Sequence, residues 1–282
     1  MPDLNYKSDQ CCFAAKGSSI RLRARFLACL LVVLGVACQP EKQRPVTTAA
    51  VSRPALLRAG EKILSKNRRF VYLARWYAPG ATTATLDTVT MTASGIPFEI
   101  MPTETLIVWL FRADTLWPAG PTQGVRAVDN KEEFSIHPPR YGRYRILEFN
   151  PFPHIKLPAI RGRTWEWSVY PPASVYADPK WASWKDTLRV EFRYMLGGTV
   201  QLATPLGSLP CYRVDAKATS KLGTTALTSY FHPAYGFVRL DYCNIDRSRV
   251  QLEMITVDVR LESTEKILEQ VFWRPSDLQL PK

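Results

Sequence analysis

The chain has 282 residues, enough for one large or two modest domains, and its 46% hydrophobic and 22% charged residues exclude a mostly disordered protein. Its 22 prolines and 14 glycines show no three-residue period, which excludes a collagen-like chain. Lys and Arg outnumber Asp and Glu by 37 to 25, a formal charge of +12, and the six cysteines contain no Cys-x-x-Cys pair, which excludes a zinc ribbon and a disulfide-dense miniprotein.

Arg21, Arg23 and Arg25 precede an uncharged stretch, Phe26 to Pro40, with an apolar core from Phe26 to Ala37. That core suits a secretory signal and falls short of the roughly 20 residues a spanning helix needs. Residues 1–37 are thus predicted to be a signal peptide, with residues 1–19 long for the region ahead of such a core. The stretch ends Leu34-Gly35-Val36-Ala37-Cys38. It resembles a bacterial lipobox, in which the cysteine is diacylated and becomes the new N-terminus, although Gly35 stands where leucine is usual and Leu34 lies one place early. The resemblance implies lipidation at Cys38 and an exported protein anchored to a membrane of the cell envelope. Ordinary cleavage after the small residues Gly35 and Ala37 is the alternative, and it would give a secreted soluble protein. Cleavage before Cys38 removes Lys7, Lys16, Arg21, Arg23 and Arg25 against Asp3 and Asp9, taking the charge from +12 to +9. Cys11, Cys12 and Cys29 leave as well, so Cys211 and Cys243 remain as thiols.

Residues 38–53 are polar and read as a tether. Residues 54–275 read as a single domain, with 276–282 as a tail. Ser52 and Pro54 suit a helix start, and Leu56, Leu57, Ile63 and Leu64 fall at helical spacing, predicting an amphipathic helix over 54–66 that covers a sheet. From Arg69 the pattern is β. Phe70 to Tyr77, Thr82 to Thr92 and Thr105 to Phe111 read as strands, and residues 113–140, with Pro118, Pro121, Pro138 and Pro139, read as a loop. After the Pro-rich stretch Pro151 to Pro158, Trp165, Trp167 and Val169 alternate with polar residues and predict one face of a strand. Residues 172–186 read as a second loop. Leu188, Val190, Phe192, Tyr194 and Leu196 give the clearest alternation, ending at Gly197-Gly198. Val200 to Ala203, Leu209 to Ala216, Thr224 to Phe231, Phe237 to Cys243 and Val250 to Leu261 follow with short connections, as in an antiparallel meander. Ile267, Leu268, Val271 and Phe272 permit a C-terminal helix before Pro275. The fold class is mainly β (α+β), a curved antiparallel sheet with one or two short helices, because strands and helices do not alternate as in a parallel α/β fold.

Catalytic signals are weak. His137, His154 and His232 have no His or Cys at metal-ligand spacing and read as surface or turn histidines. No Gly-x-Ser-x-Gly elbow, His-Glu-x-x-His, P-loop or dinucleotide fingerprint occurs. Ser220 or Ser229 beside His232 is conceivable, but no spacing favours it. Glu132-Glu133 falls in the predicted loop, and Asp241 and Asp246 flank a turn. The chain therefore reads as non-enzymatic, with no catalytic residue, metal ligand or cofactor expected. No disulfide is expected either. In the meander Cys211 and Cys243 lie on strands separated by a third and at opposite ends, about 20 Å apart, whereas a bridge needs Cα atoms within about 7 Å. The arginines are dispersed, and nucleic acid is a poor partner for an exported chain. An anionic membrane surface fits such a charge, as do plain solvated strand faces.

All eight tryptophans follow Cys38. A concave sheet lined by them could hold an apolar ligand, although single tryptophans commonly serve the core. Trp165 and Trp167 on a strand, and Trp181 and Trp184 in a loop as rim or lid, are the ligand-binding candidates.

Three segments carry a resemblance across about 145–260. They are Pro158 to Trp165, with Gly162 ahead of the tryptophan; Thr204 to Val214, with Pro205-Leu206-Gly207 and Cys211-Tyr212; and Tyr230 to Arg239, with Pro233 and Gly236 in the turn. They resemble a family of exported bacterial proteins of unknown function, with Leu206 replacing a small residue and His232 standing where serine is common. The resemblance implies an antiparallel half-barrel around a helix, broadly like periplasmic lipoprotein carriers, which bind acyl chains on the concave face. It supplies no catalytic residues. The functional expectation is a membrane-tethered module binding an apolar or lipid-like ligand or an envelope partner protein. A structural or assembly component of an envelope complex is one alternative and predicts a filled sheet interior. An envelope hydrolase is another and predicts a histidine within hydrogen-bond reach of a serine, thiol or carboxylate in one cleft.

Overall fold

The structure, a computed structural model, describes residues 62–98, 101–111 and 122–259. The predicted signal peptide, Cys38, the tether, residues 54–61 of the first helix, the C-terminal helix and the tail lie outside the described residues.

The described strands are β1 (Arg68–Tyr77), β2 (Thr85–Phe98), β3 (Met101–Phe111), β4 (Thr122–Asp129), β5 (Glu133–Ile136), β6 (His154–Lys156), β7 (Thr164–Val169), β8 (Val190–Thr204), β9 (Gly207–Ser220), β10 (Gly223–His232), β11 (Gly236–Cys243) and β12 (Arg249–Val259). They form one twelve-stranded sheet in the order β6-β5-β4-β3-β2-β1-β12-β11-β10-β9-β8-β7. Every pairing is antiparallel. The sheet is therefore two meanders joined at the centre by β1 and β12, with β6 and β7 at its outer edges.

Chain length then dictates curvature. Laid flat, twelve strands at ~4.8 Å spacing would set β6 and β7 about 53 Å apart. The link from Lys156 to Thr164 reaches at most about 28 Å when fully extended. The sheet must curl until its edges approach, and the half-barrel follows.

Alternation sets the inner face. Leu188, Val190, Phe192, Tyr194 and Leu196 are all buried, as their spacing predicts. β8 does not end at Gly197-Gly198. A bulge between Leu196 and Gly198, with Gly198 at φ +123°, lets the strand continue to Thr204, and a side chain at that φ would be strained. Within the predicted loop 113–140, Val125, Ala127, Phe134 and Ile136 are buried on alternate positions of β4 and β5. The prolines bound these strands and do not interrupt them. The end of the predicted first helix is also different: Ile63 and Leu64 lie in turns, although both are buried in the core as a covering stripe requires.

The inner face is covered by the chain itself. Between β5 and β6 a segment containing the 3-10 helix Gly142–Phe149 crosses the concave side and buries Tyr144, Ile146, Leu147 and Phe149. Side chains from four parts of the sheet hold its backbone or its polar groups. The Trp109 indole N–H donates to the His137 carbonyl (2.9 Å), the Thr225 hydroxyl to Phe149 (2.7 Å) and the Tyr194 hydroxyl to Phe152 (3.1 Å). The Asn150 amide N–H donates to Asn244 Oδ1 at 2.7 Å in the β11–β12 turn. Buried polar groups are costly unless paired, so these bonds fix the segment as a plug in one orientation.

Candidate functional site

The two sheet edges meet through side chains. Ile155 on β6 and Phe134 on β5 point into the core, so their neighbours His154 and Lys156, and Glu133 and Ser135, stand on the opposite, outward side. On β7, Trp165 and Trp167 share the inward side with Tyr194 and Phe192 of β8 and pack against the core. The Trp165 ring lies against His154 and the Trp167 ring under Arg126 of β4. The sheet thus overlaps itself, with the polar outward side of β4–β6 against the aromatic inward side of β7.

At this seam His154 Nε2 is 3.0 Å from Glu133 Oε2, and the Lys156 ammonium binds the same oxygen. The Trp165 Nε1–H donates to His154 Nδ1 at 3.2 Å. An indole N–H can only donate, so Nδ1 carries a lone pair and the proton sits on Nε2, where it is given to Glu133. Trp165 also stacks on Tyr194, with ring centroids 5.2 Å apart and planes within 3°. The Arg126 guanidinium lies 5.5 Å from the Trp167 ring centroid and donates to Glu104 Oε1 at 3.0 Å. Glu104 Oε2 is buried with no hydrogen-bond partner.

Glu104, Arg126, Glu133, His154, Lys156 and Trp167 border a cavity of about 260 Å³ that also touches Ser135, His137, Phe152 and Glu166. That volume suits a small polar molecule and is too little for an acyl chain of membrane length. Burial holds the His154 pKa below its usual 6.5 and Lys156 pushes the same way, while the hydrogen bond and charge of Glu133 oppose them. Burial alone would raise the Glu133 pKa, but hydrogen bonds from Lys156 and His154 outweigh it and hold the carboxyl below 4.5.

His137 and His154 are each only 8% exposed, which corrects their reading as surface or turn histidines. His137 Nδ1–H donates to the Pro138 carbonyl at 2.9 Å, and its Nε2 lies 3.5 Å from Glu148 Oε2. Glu148 Oε2 is buried and makes no hydrogen bond. His232 occupies a turn as predicted and accepts from the Ala234 N–H at Nδ1. Among the described residues no group of three or more His, Cys, Asp or Glu converges on a metal position.

No family model matches the chain, and no curated protein matches it. Solved structures do. A candidate exported protein with a YmcC-like fold from Bacteroides fragilis is 14% identical, with a TM-score of 0.38 over 69% of this chain and 96% of its own. A candidate lipoprotein from Parabacteroides distasonis is 12% identical, with a TM-score of 0.39 over 70% and 99% of the two chains. The hypothetical lipoprotein YmcC from Escherichia coli is 10% identical, with a TM-score of 0.34 over 67% and 87%. No residue role is carried over from them.

The four tryptophans proposed from the sequence fall in two places. Trp165 and Trp167 are at the seam, and Trp167 borders the cavity. Trp181 and Trp184 lie against the plug instead: Trp184 meets Phe149 edge-on at 5.1 Å, and Trp181 donates to the Tyr176 carbonyl beneath Arg145. Sequence reasoning missed Glu133, His154, Lys156, Arg126 and Glu104 as a cluster. The available signal was a pair of short polar–apolar–polar alternations, Glu133-Phe134-Ser135 and His154-Ile155-Lys156, inside segments assigned to proline-rich loops. Cys211 and Cys243 form no disulfide. Cys211 pairs with Val200 on β8 and Cys243 with Ala226 on β10, at opposite ends of the meander.

Proposed function

We propose that the protein is an exported lipoprotein, tethered through a diacylated Cys38 to a membrane of the cell envelope, and that its β domain binds a partner protein there as a non-enzymatic assembly module. The observation that carries this reading is the plug. Its buried helix and four anchoring hydrogen bonds fill the concave face, where a lipid carrier would hold its acyl chain. The cavity at the seam is small, and five charged side chains, Glu104, Arg126, Glu133, Lys156 and Glu166, stand among its lining. Both ring nitrogens of His154 are engaged, by Glu133 and Trp165, so neither is available to activate a nucleophile, which supports the non-enzymatic reading. Export and the lipid anchor rest on the basic cluster, the apolar core and the Cys38 segment.

Two measurements test it. The full-length protein should incorporate labelled palmitate, and Cys38→Ser should abolish the label; an unlabelled wild type found free in the medium would replace the tether with secretion. The purified domain should show no saturable binding of a fluorescent fatty acid, while in-cell crosslinking should return the same envelope protein repeatedly. Micromolar fatty-acid binding that quenches tryptophan emission would restore the carrier reading.

A further inference from the structure

The seam has a chemistry that partner binding does not use. Among the described residues no backbone ladder joins β6 to β7, which are the two ends of the sheet order. Closure there depends on side chains, among them the Trp165–His154 hydrogen bond, the Arg126–Trp167 contact, the Tyr194–Phe152 hydrogen bond and the packing of Trp167 on Phe152. We propose that His154 is an acid-sensitive latch: on gaining a second ring proton it releases Trp165, parts the outward side of β6 from the inward side of β7, and opens the cavity between them.

The reason is the donor count. In the neutral ring Nδ1 offers its lone pair to the Trp165 N–H. A proton taken from solvent onto that lone pair sets two N–H donors against each other at the present 3.2 Å, and the indole has no lone pair to offer in return. Nε2–H keeps its bond to Glu133, so the imidazolium stays with β5 while β7 is released. No covalent bond forms or breaks beyond the new N–H.

The surrounding charges set the direction. Glu133 from β5 favours the imidazolium, while Lys156, on β6 with His154, opposes it. Across the cavity Glu104 of β3 is answered by Arg126 of β4 at 3.0 Å, and Glu166 of β7 by Arg193 of β8 at 3.0 Å. His137, from the plug, faces Glu148 with its Nε2 3.5 Å from the carboxylate. The Tyr194 ring packs on His154, and burial raises its hydroxyl far above the relevant range. Burial is the largest influence on His154 and keeps it neutral down to below its usual 6.5, so the latch is closed at neutral pH and opens in acid. This inference does not depend on partner binding.

The test is a pH titration of the intact mature chain by NMR, following the His154 ring and the Trp165 indole N–H. The indole proton should lose hydrogen-exchange protection with the midpoint of the His154 titration, below 6.5. Trp165→Phe should move the His154 midpoint up by about 0.7 unit, a fivefold gain in proton affinity, because protonation no longer breaks a hydrogen bond. His154→Gln can accept from Trp165 and donate to Glu133 without titrating, and should abolish the transition. An indole that stays protected well below the His154 midpoint overturns the latch, and so does an unchanged transition in a folded His154→Gln variant. Should that variant fail to fold, the wild-type midpoints alone decide.

Discussion

The β1–β12 junction and the β6–β7 seam are the two places where the two meanders of the sheet meet, and they do so by different means. The junction is a main-chain ladder of ten register pairs, from Arg68↔Val259 to Tyr77↔Arg249, reinforced by the Arg69–Asp258 and Arg75–Glu253 ion pairs. The seam is held by side chains: the 3.2 Å Trp165–His154 hydrogen bond, the Arg126–Trp167 cation–π contact, the Tyr194 hydrogen bond to the Phe152 carbonyl and the packing of Trp167 on Phe152. Amide hydrogen bonds do not titrate in the range where proteins work, whereas an imidazole does. One joint is therefore permanent, and the other responds to conditions.

That contrast can be broken at the junction first. Tyr72→Ala removes a fully buried ring and its hydrogen bond to the Phe237 carbonyl, and should lower unfolding stability by about 3–5 kcal/mol in denaturant titration. A loss under about 1 kcal/mol would mean that the ladder, and not the packing beneath it, holds the halves together. Asn150→Ala leaves Asn244 Oδ1 without the plug's donor and should cost about 1–3 kcal/mol in the same assay. Trp165→Phe should cost about 1 kcal/mol at neutral pH, and its difference from wild type should shrink in acid, where the seam bond is already broken. A constant difference across pH would detach Trp165 from the His154 titration. The smallest effect is expected for Glu166→Gln, whose pair with Arg193 is mostly exposed on both sides and should change stability by less than about 0.5 kcal/mol.

The wild-type pH profile sharpens the same point. The folded-state pKa of His154 lies below its unfolded value, so between the two the unfolded chain binds more protons and stability falls as pH drops below about 6.5. Glu133 is also depressed, so its contribution is present above about 4.5 and is lost as pH falls further through its folded pKa. A denaturation midpoint that stayed flat from neutral pH to pH 5 would contradict the His154 assignment.

Period-two patterning exposed most of the sheet in advance. Long strands such as β8 repeat their alternation often enough to stand out, and the turn chemistry at His232-Pro233-Ala234-Tyr235-Gly236 places β10 and β11 as neighbours. The seam was not readable because most of its participants come from strands three to eight residues long, and the alternation of a three-residue strand such as β6 is too short to stand out. The prolines around β4, β5 and β6 are strand boundaries, yet by composition they resemble loop residues. The plug was hidden for a related reason: a 3-10 helix has neither the period of an α-helix nor that of a strand.

The central position of β1 also constrains how the chain can reach its fold. Among the described residues β1 is the first strand made and β12 the last, so Arg68 waits for Val259. A polypeptide delivered N-terminus first, from a ribosome or across a membrane, holds β1 with one open edge until almost all of it has arrived. Such long-range pairing folds slowly and exposes a sticky edge in the meantime. Interrupted synthesis or a truncation ahead of Arg249 would leave one edge of β1 and one edge of β11 open, while their pairings to β2 and β10 remain.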